Sequence, residues 1–301
     1  MDVYLGSPRG FCAGVVRAVD IVERALERFG EPVYVRHEIV HNPHVVDGLR
    51  RRGAVFVEEL SEVPEGSLVI FSAHGVPPNV PEEARRRSLR VIDATCPLVT
   101  KVHVEAVNYA GRGYTVILVG HRDHVETIGT AGEAPERTVV VETADEAETV
   151  QVPDAARVVM LTQTTLSVDD TREVVEVLRR RFPDIVVRND ICYATSNRQL
   201  AAKALAREVD VVLVIGASNS SNCNRLREVV EAAGVPAYLV NSPEEVTPEH
   251  IGGAARVGIV SGASTPEELV QSVVDKLAPH QVLHREVVEE NVSFNLPMEL
   301  R

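Results

Sequence analysis

Short β-branched apolar runs alternate along this chain with longer segments whose apolar positions recur at helical spacing. Val33–Val35, Leu68–Phe71, Val91–Asp93, Tyr114–Val119, Val158–Leu161, Ile185–Val187, Val209–Ile215, Ala237–Val240 and Val257–Val260 predict strands. Between them Val16–Phe29, Asp169–Phe182, Asn197–Arg207 and Pro266–Leu277 predict helices. Ser196 stands where a cap for the third of these is expected, and Thr265-Pro266-Glu267-Glu268 predicts a cap, an N1 proline and first-turn acids for the fourth. Such alternation predicts an α/β fold of mainly parallel sheets with helices on both faces.

Three cysteines set the larger period. Cys12, Cys96 and Cys192 cut the chain into near-equal thirds; two follow a predicted strand and all three open a predicted helix. Aligned on them, each third reads cysteine, helix, strand, polar loop, helix, strand, polar loop, helix. The polar loops are His41-Asn42 and Ser72-Ala73-His74-Gly75, then Gly120-His121 to His124-Val125-Glu126 and Thr162-Gln163-Thr164-Thr165, then Ser218-Asn219-Ser220-Ser221-Asn222 and Ser261-Gly262-Ala263-Ser264-Thr265. Nearly all follow the C-terminal end of a strand, where open parallel sheets bind their ligands. The expected organisation is three pseudo-repeated small α/β units around a central site. They span residues 1–95 with an N-terminal strand, 96–191 and 192–278, followed by a C-terminal extension over 279–301. Val3–Leu5 leads into Cys12 much as Val91–Asp93 leads into Cys96, and is expected to complete the third unit from the other end of the chain.

Composition narrows the setting. The 301 residues carry a formal net charge of −13 with scattered acids, which argues against a nucleic-acid partner. No basic stretch followed by an apolar run marks a signal peptide, and no apolar run approaches the roughly 18 residues of a membrane helix. The four cysteines include no CxxC pair, so a secreted disulfide framework is not expected. A cytoplasmic protein with no membrane partner is the expectation.

Taken singly, a cysteine is more often a small buried hydrophobe than a ligand. The shared repeat position of Cys12, Cys96 and Cys192 instead predicts a three-point metal cluster with one coordination position open for chemistry. A Cys₃His zinc site is the main rival, although structural zinc ligands usually come as close pairs and these are dispersed. Cys223, in the polar run Ser221-Asn222-Cys223-Asn224, is read as a free thiol rather than a fourth ligand. His41, His74, His121 and His124 lie at predicted strand ends among Ser, Thr and Asn, with Lys and Arg nearly absent. Imidazoles, hydroxyls and helix N-termini of this kind suit a diphosphate. Neither GxxxxGK[ST] nor an early GxGxxG is present to offer a P-loop or dinucleotide alternative. Glu126 is an acid two residues from His124 in these clusters, and beside an anion its pKa would rise enough to carry a proton.

Read together, Pro8-Arg9-Gly10-Phe11-Cys12-Ala13-Gly14-Val15, Val40-His41-Asn42, Ser72-Ala73-His74-Gly75-Val76, Asp93-Ala94-Thr95-Cys96-Pro97, Thr162-Gln163-Thr164-Thr165-Leu166-Ser167, Ile191-Cys192-Tyr193-Ala194-Thr195 and Asn219-Ser220-Ser221-Asn222 resemble the 4-hydroxy-3-methylbut-2-enyl diphosphate reductases. The resemblance runs from Tyr4 to Phe294-Asn295-Leu296-Pro297. It implies a [4Fe–4S] cluster on Cys12, Cys96 and Cys192, with one iron open to the substrate's allylic hydroxyl. It implies that His41, His74, Ser220, Asn222 and Ser264 hold the diphosphate with Ser221 beside them, and that His124 lies near it. Glu126 falls on the proton donor and Thr164 on a residue that contacts the hydroxyl and relays the proton. The implied reaction is two-electron, two-proton removal of the hydroxyl, ending the non-mevalonate isoprenoid pathway, with a ferredoxin- or flavodoxin-type electron donor. Two segments depart from the family pattern: in one, Cys223 replaces a small polar residue, and in the other, Val125 and Ile128 stand where Pro and a Glu-like residue are expected. The rival reading is an iron–sulfur redox sensor or regulatory protein, which leaves the His, Ser, Thr and Glu clusters without a task.

Overall fold

A computed structural model describes all 301 residues, Met1–Arg301. The elements, labelled in chain order, divide between two compact units. The first comprises Met1–Val16, His41–Val46 and Cys192–Ser293; the second comprises Arg17–Val40, Asp47–Ile191 and Phe294–Arg301.

The first unit holds β1 (Asp2–Ser7), β10 (Val211–Ile215), β11 (Ala237–Val240), β12 (Arg256–Ser261) and β13 (Val282–Glu286) in one parallel sheet of order β11-β10-β12-β1-β13. The N-terminal strand thus joins the last third of the chain, Leu5 pairing Ile259 on one side and His284 on the other. Its helices are α8 (Tyr193–Leu205), α9 (Ser221–Ala232), α10 (Pro248–Ile251) and α11 (Glu267–Leu277). The alternation of β10 separates two cores: Val211, Leu213 and Ile215 pack with Leu269, Val270, Val273 and Val274 of α11, while Val212 and Val214 pack with Leu205 of α8 and Leu226 and Val230 of α9.

The second unit holds two four-stranded parallel sheets. One has the order β3-β2-β4-β5, from β2 (Val33–Arg36), β3 (Ala54–Val57), β4 (Leu68–Phe71) and β5 (Arg90–Asp93). The other has the order β7-β6-β8-β9, from β6 (Thr115–Val119), β7 (Thr138–Val141), β8 (Val158–Thr162) and β9 (Val186–Val187). Here too the strand period sorts the core. Ile117, Val119 and Met160 face α7 (Val168–Arg181), and Val116, Leu118 and Leu161 face α4 (Pro97–Gly111). Helices α3 (Asn79–Arg86), α5 (Val125–Gly132) and α6 (Ala144–Thr149) complete this unit. Helices α1 (Ala13–Phe29) and α2 (Pro43–Arg51) each begin in the first unit's residues and end in the second's. No helix is long and apolar enough to cross a membrane.

Two expected helix starts are corrected. Helix α8 opens at Tyr193, because the sulfur of Cys192 accepts the Thr195 N–H at 3.4 Å and caps the turn; Ser196 therefore lies inside the helix. Helix α11 opens at Glu267 with Pro266 as its cap residue. The Thr265 hydroxyl is engaged elsewhere, donating to the Ile215 carbonyl at 2.9 Å.

Candidate active site

In the first unit the chain leaves β1 through a loop that is pinned at both ends. Gly10, at φ +70°, adopts a conformation that favours glycine, and its N–H donates to Ser261 Oγ at 2.8 Å. The Cys12 N–H donates to the Ala263 carbonyl at 3.1 Å, and the Cys12 carbonyl accepts the first helical bond of α1 from Val16. The Ala13 N–H then donates to the Tyr193 phenol at 3.2 Å, tying the residue after Cys12 to the residue after Cys192. Burial pushes the Tyr193 phenol up to about 12, so it stays a neutral partner. Cys12 and Cys192 are thus both partly exposed thiols directly before a helix N-terminus, where the backbone field favours negative charge.

Two polar loops of this unit meet next to the Cys12 loop, which bonds to Ala263. Ser264 Oγ donates to the His41 carbonyl at 3.1 Å, joining the loop after β12 to His41-Asn42. Asn42 is fully buried; its Oδ1 accepts the His44 N–H at 3.0 Å at the start of α2, and its Nδ2 has no partner in the protein. Ser220 caps α9, accepting the Cys223 N–H. One residue into that helix, Asn222 is 4 % exposed and neither atom of its amide has a partner. Leaving both atoms dry and unsatisfied costs on the order of 1–3 kcal/mol each, which a polar ligand would offset. Cys223 is corrected from a polar loop to the buried face of α9. Its thiol is 0 % exposed, lies in the core with Leu226 and Val230, and is pushed up in pKa by burial.

The second unit carries the third cysteine and the acid. Cys96 is the cap residue of α4, with Pro97 at N1, and its N–H donates to the Ala73 carbonyl at 3.0 Å. Asp93 accepts both the N–H and the hydroxyl of Thr95, at 2.8 and 2.5 Å, and so shapes the turn between β5 and Cys96. The loop held by Cys96 bears His74, whose Nδ1 lies 3.2 Å from Ser72 Oγ and whose ring meets that of His124 edge-on, centroids 6.1 Å apart. His124 caps α5 through Nδ1, which accepts the Glu126 N–H at 3.2 Å and so leaves the proton of a neutral ring on Nε2.

Glu126 is 3 % exposed. Its Oε1 accepts the Thr164 N–H at 2.6 Å, and its Oε2 lies 3.1 Å from Thr164 Oγ1. Burial pushes its pKa up to about 7, against the two Thr164 hydrogen bonds and with a smaller like-charge push from Asp190. A carboxyl in that state holds a proton at neutral pH and can release it.

The sequence reading missed the charged side chains that folding brings to these loops. Asp190 is buried beside Lys101 Nζ at 2.9 Å, and Lys101 and Arg188 both pair with Glu105. Arg17 donates from α1 to the Ala94 and Thr95 carbonyls at 3.2 and 3.0 Å, just before Cys96. Arg198, 1 % exposed, donates to the Gly10 carbonyl at 2.7 Å. Lys and Arg are scarce in the loops themselves but not around them. The available signal was an aspartate shortly before two of the cysteines, Asp93 and Asp190.

The family model described as LytB protein matches residues 3–278. A 4-hydroxy-3-methylbut-2-enyl diphosphate reductase of Ralstonia nicotianae is 54 % identical over 100 % of this chain and 94 % of its own length. The reductase of the same name from Methylococcus capsulatus is 52 % identical, covering 100 % and 99 %. Among solved structures, the E-1-hydroxy-2-methyl-but-2-enyl-4-diphosphate reductase of Plasmodium falciparum matches with a TM-score of 0.96 at 40 % identity, covering 99 % of this chain and 96 % of that one. An (E)-4-hydroxy-3-methyl-but-2-enyl diphosphate reductase, described as the terminal enzyme of the non-mevalonate pathway, matches with a TM-score of 0.66 at 38 % identity, covering 92 % and 99 %. With a family model over nearly its whole length and full-length relatives above half identity, the chain belongs to the LytB protein family.

Proposed function

We propose that this chain catalyses the reductive removal of the allylic hydroxyl of 4-hydroxy-3-methylbut-2-enyl diphosphate, yielding isopentenyl and dimethylallyl diphosphates. One C–O bond breaks and two electrons enter. One proton turns the departing oxygen into water, and a second adds to the allylic carbon skeleton. Cys12, Cys96 and Cys192 hold a [4Fe–4S] cluster; their partly exposed thiols at helix N-termini, none in a disulfide, support this, as does the burial of the remaining thiol, Cys223. When bound, such a cluster supplies electrons one at a time together with a Lewis-acidic iron.

The chain's own residues do the rest. Glu126 supplies the proton, and the observation that carries the reading is this buried carboxyl, bonded through both oxygens to Thr164 and holding its proton to about pH 7. When Glu126 is protonated, the Thr164 hydroxyl accepts from it and donates onward to the substrate oxygen, so that Thr164 both orients and relays. The orphaned amide of Asn222, the Ser220 cap, Ser221 at the start of α9, Ser264, His41, His74 and the Nε2–H of His124 bind the diphosphate. A one-electron donor of ferredoxin or flavodoxin type serves the reaction in the cytoplasm. A sensor would have no use for the proton held by Glu126.

Metal analysis of anaerobically purified protein tests the cysteine assignment. Iron and sulfide in about a four-to-four ratio are expected, lost in Cys12→Ser, Cys96→Ser or Cys192→Ser and retained in Cys223→Ser. Zinc without sulfide, or loss of iron in Cys223→Ser, contradicts it.

A further inference from the structure

Arg198 carries a positive charge into the interior of the first unit, and no step above uses it. Its side chain is 1 % exposed. Nη2 donates to the Gly10 carbonyl at 2.7 Å, and Nη1 donates to the Ala194 carbonyl at 3.0 Å and to Glu290 Oε1 at 3.1 Å. Glu290 also accepts from Asn197 Nδ2 at 3.1 Å. It belongs to the C-terminal stretch that follows β13 and runs beside β1, the Val287 N–H donating to the Ser7 carbonyl at 3.1 Å. One guanidinium thus joins the loop two residues before Cys12, the turn two residues after Cys192 and a carboxylate from the far end of the chain. A buried guanidinium is tolerated only while its charge and most of its donors are matched; Nε has no partner here, so the bonds of Nη1 and Nη2 and the charge of Glu290 carry that task.

We infer that Arg198, neutralised by Glu290, is a positioning residue that fixes the Cys12 loop against the first turn of α8 and sets the local charge felt by a cluster on those cysteines. The cluster part rests on the proposed function; the positioning part does not. Its test uses full-length Arg198→Gln and Glu290→Gln. Amide exchange is measured in iron-free protein, and the cluster's midpoint potential in anaerobic, iron-loaded protein. Both variants should speed exchange at Gly10–Val16 and in the first turn of α8 by about tenfold or more, the ratio expected for losing one hydrogen bond to a charged group. Amides of β10 and β12 should exchange as before. The potential should fall in Arg198→Gln, where a nearby positive charge is lost, and rise in Glu290→Gln, where it is left unbalanced. A merely structural role would not move the two potentials in opposite directions. Unchanged local exchange, or potentials that stay put or shift together, overturns the inference; if Arg198→Gln does not fold, Glu290→Gln alone decides on the same readings. Wild-type protein free of iron and sulfide after anaerobic purification overturns the proposed cluster instead, while the exchange measurement still decides the positioning role.

Discussion

Glu126 is the residue on which the proposed chemistry turns. Its raised pKa comes first from burial, and Thr164 pulls against that shift without cancelling it. Replacement by Gln keeps the shape and removes the proton, so Glu126→Gln should retain iron and bind substrate while turnover falls by roughly 10²–10⁴, the usual contribution of a positioned acid. In wild-type protein, turnover should decline as pH rises through about 7, where Glu126 ionises. The same shift carries a stability sign. The folded state holds a proton that the unfolded state has already released, so the contribution is fully present below the ordinary carboxylate range. It is lost as pH rises through about 7, by up to about 3 kcal/mol for this one group. A flat turnover profile through that pH, or near-normal turnover in Glu126→Gln with full iron, would place the proton source elsewhere. Glu126 was legible in the sequence as an acid beside His124 in a polar strand-end loop. Its hold on Thr164, 38 residues away, was not, because that contact exists only once β6 and β8 pair.

At the scale of elements, the recurring device is a helix N-terminus at the end of a parallel strand. Cys96, His124, Cys192 and Ser220 all occupy cap positions, so secondary structure itself aims the chemistry. The close packing behind one such helix gives a testable consequence. A Cβ at Gly262 would run into the Cys223 sulfur, which lies against the loop after β12. Gly262→Ala should therefore destabilise the protein by about 1–3 kcal/mol, and adding Cys223→Ala should recover most of that loss. Denaturant unfolding of the two single variants and the double checks this, and additive losses would contradict the packing. The strand and helix pattern was largely legible because most central strands are apolar runs bounded by polar loops. β13 was not, since Val282–Glu286 is an edge strand with alternating exposed side chains and polar composition. β3 and β7 were missed as well, although these four-residue edge strands are no shorter than β11, which was predicted. Helix α8 was expected to start late because a cysteine is not among the usual capping residues, and its sulfur does the capping here.

For the molecule as a whole, three parallel sheets matched the threefold cysteine period, and β1 joined the last third of the chain as the strand–cysteine pattern suggested. Of the proposed residues, Cys12, His41, Cys192, Ser220, Ser221, Asn222 and Ser264 belong to one compact unit, and His74, Cys96, His124, Glu126 and Thr164 to the other. Spacing in sequence predicts this division poorly, because the first unit is built from three separate segments, Met1–Val16, His41–Val46 and Cys192–Ser293. The net charge of −13 does not favour an anionic substrate, so in the proposed site that task is assigned to buried amides, caps and imidazoles. The central claim is most directly tested by incubating anaerobically purified, iron-loaded protein with 4-hydroxy-3-methylbut-2-enyl diphosphate and a strong one-electron reductant, and identifying the products. The account predicts isopentenyl and dimethylallyl diphosphates in wild-type protein and neither in Cys12→Ser, Cys96→Ser or Cys192→Ser; a wild-type protein with full iron and sulfide that leaves this substrate unchanged would contradict it.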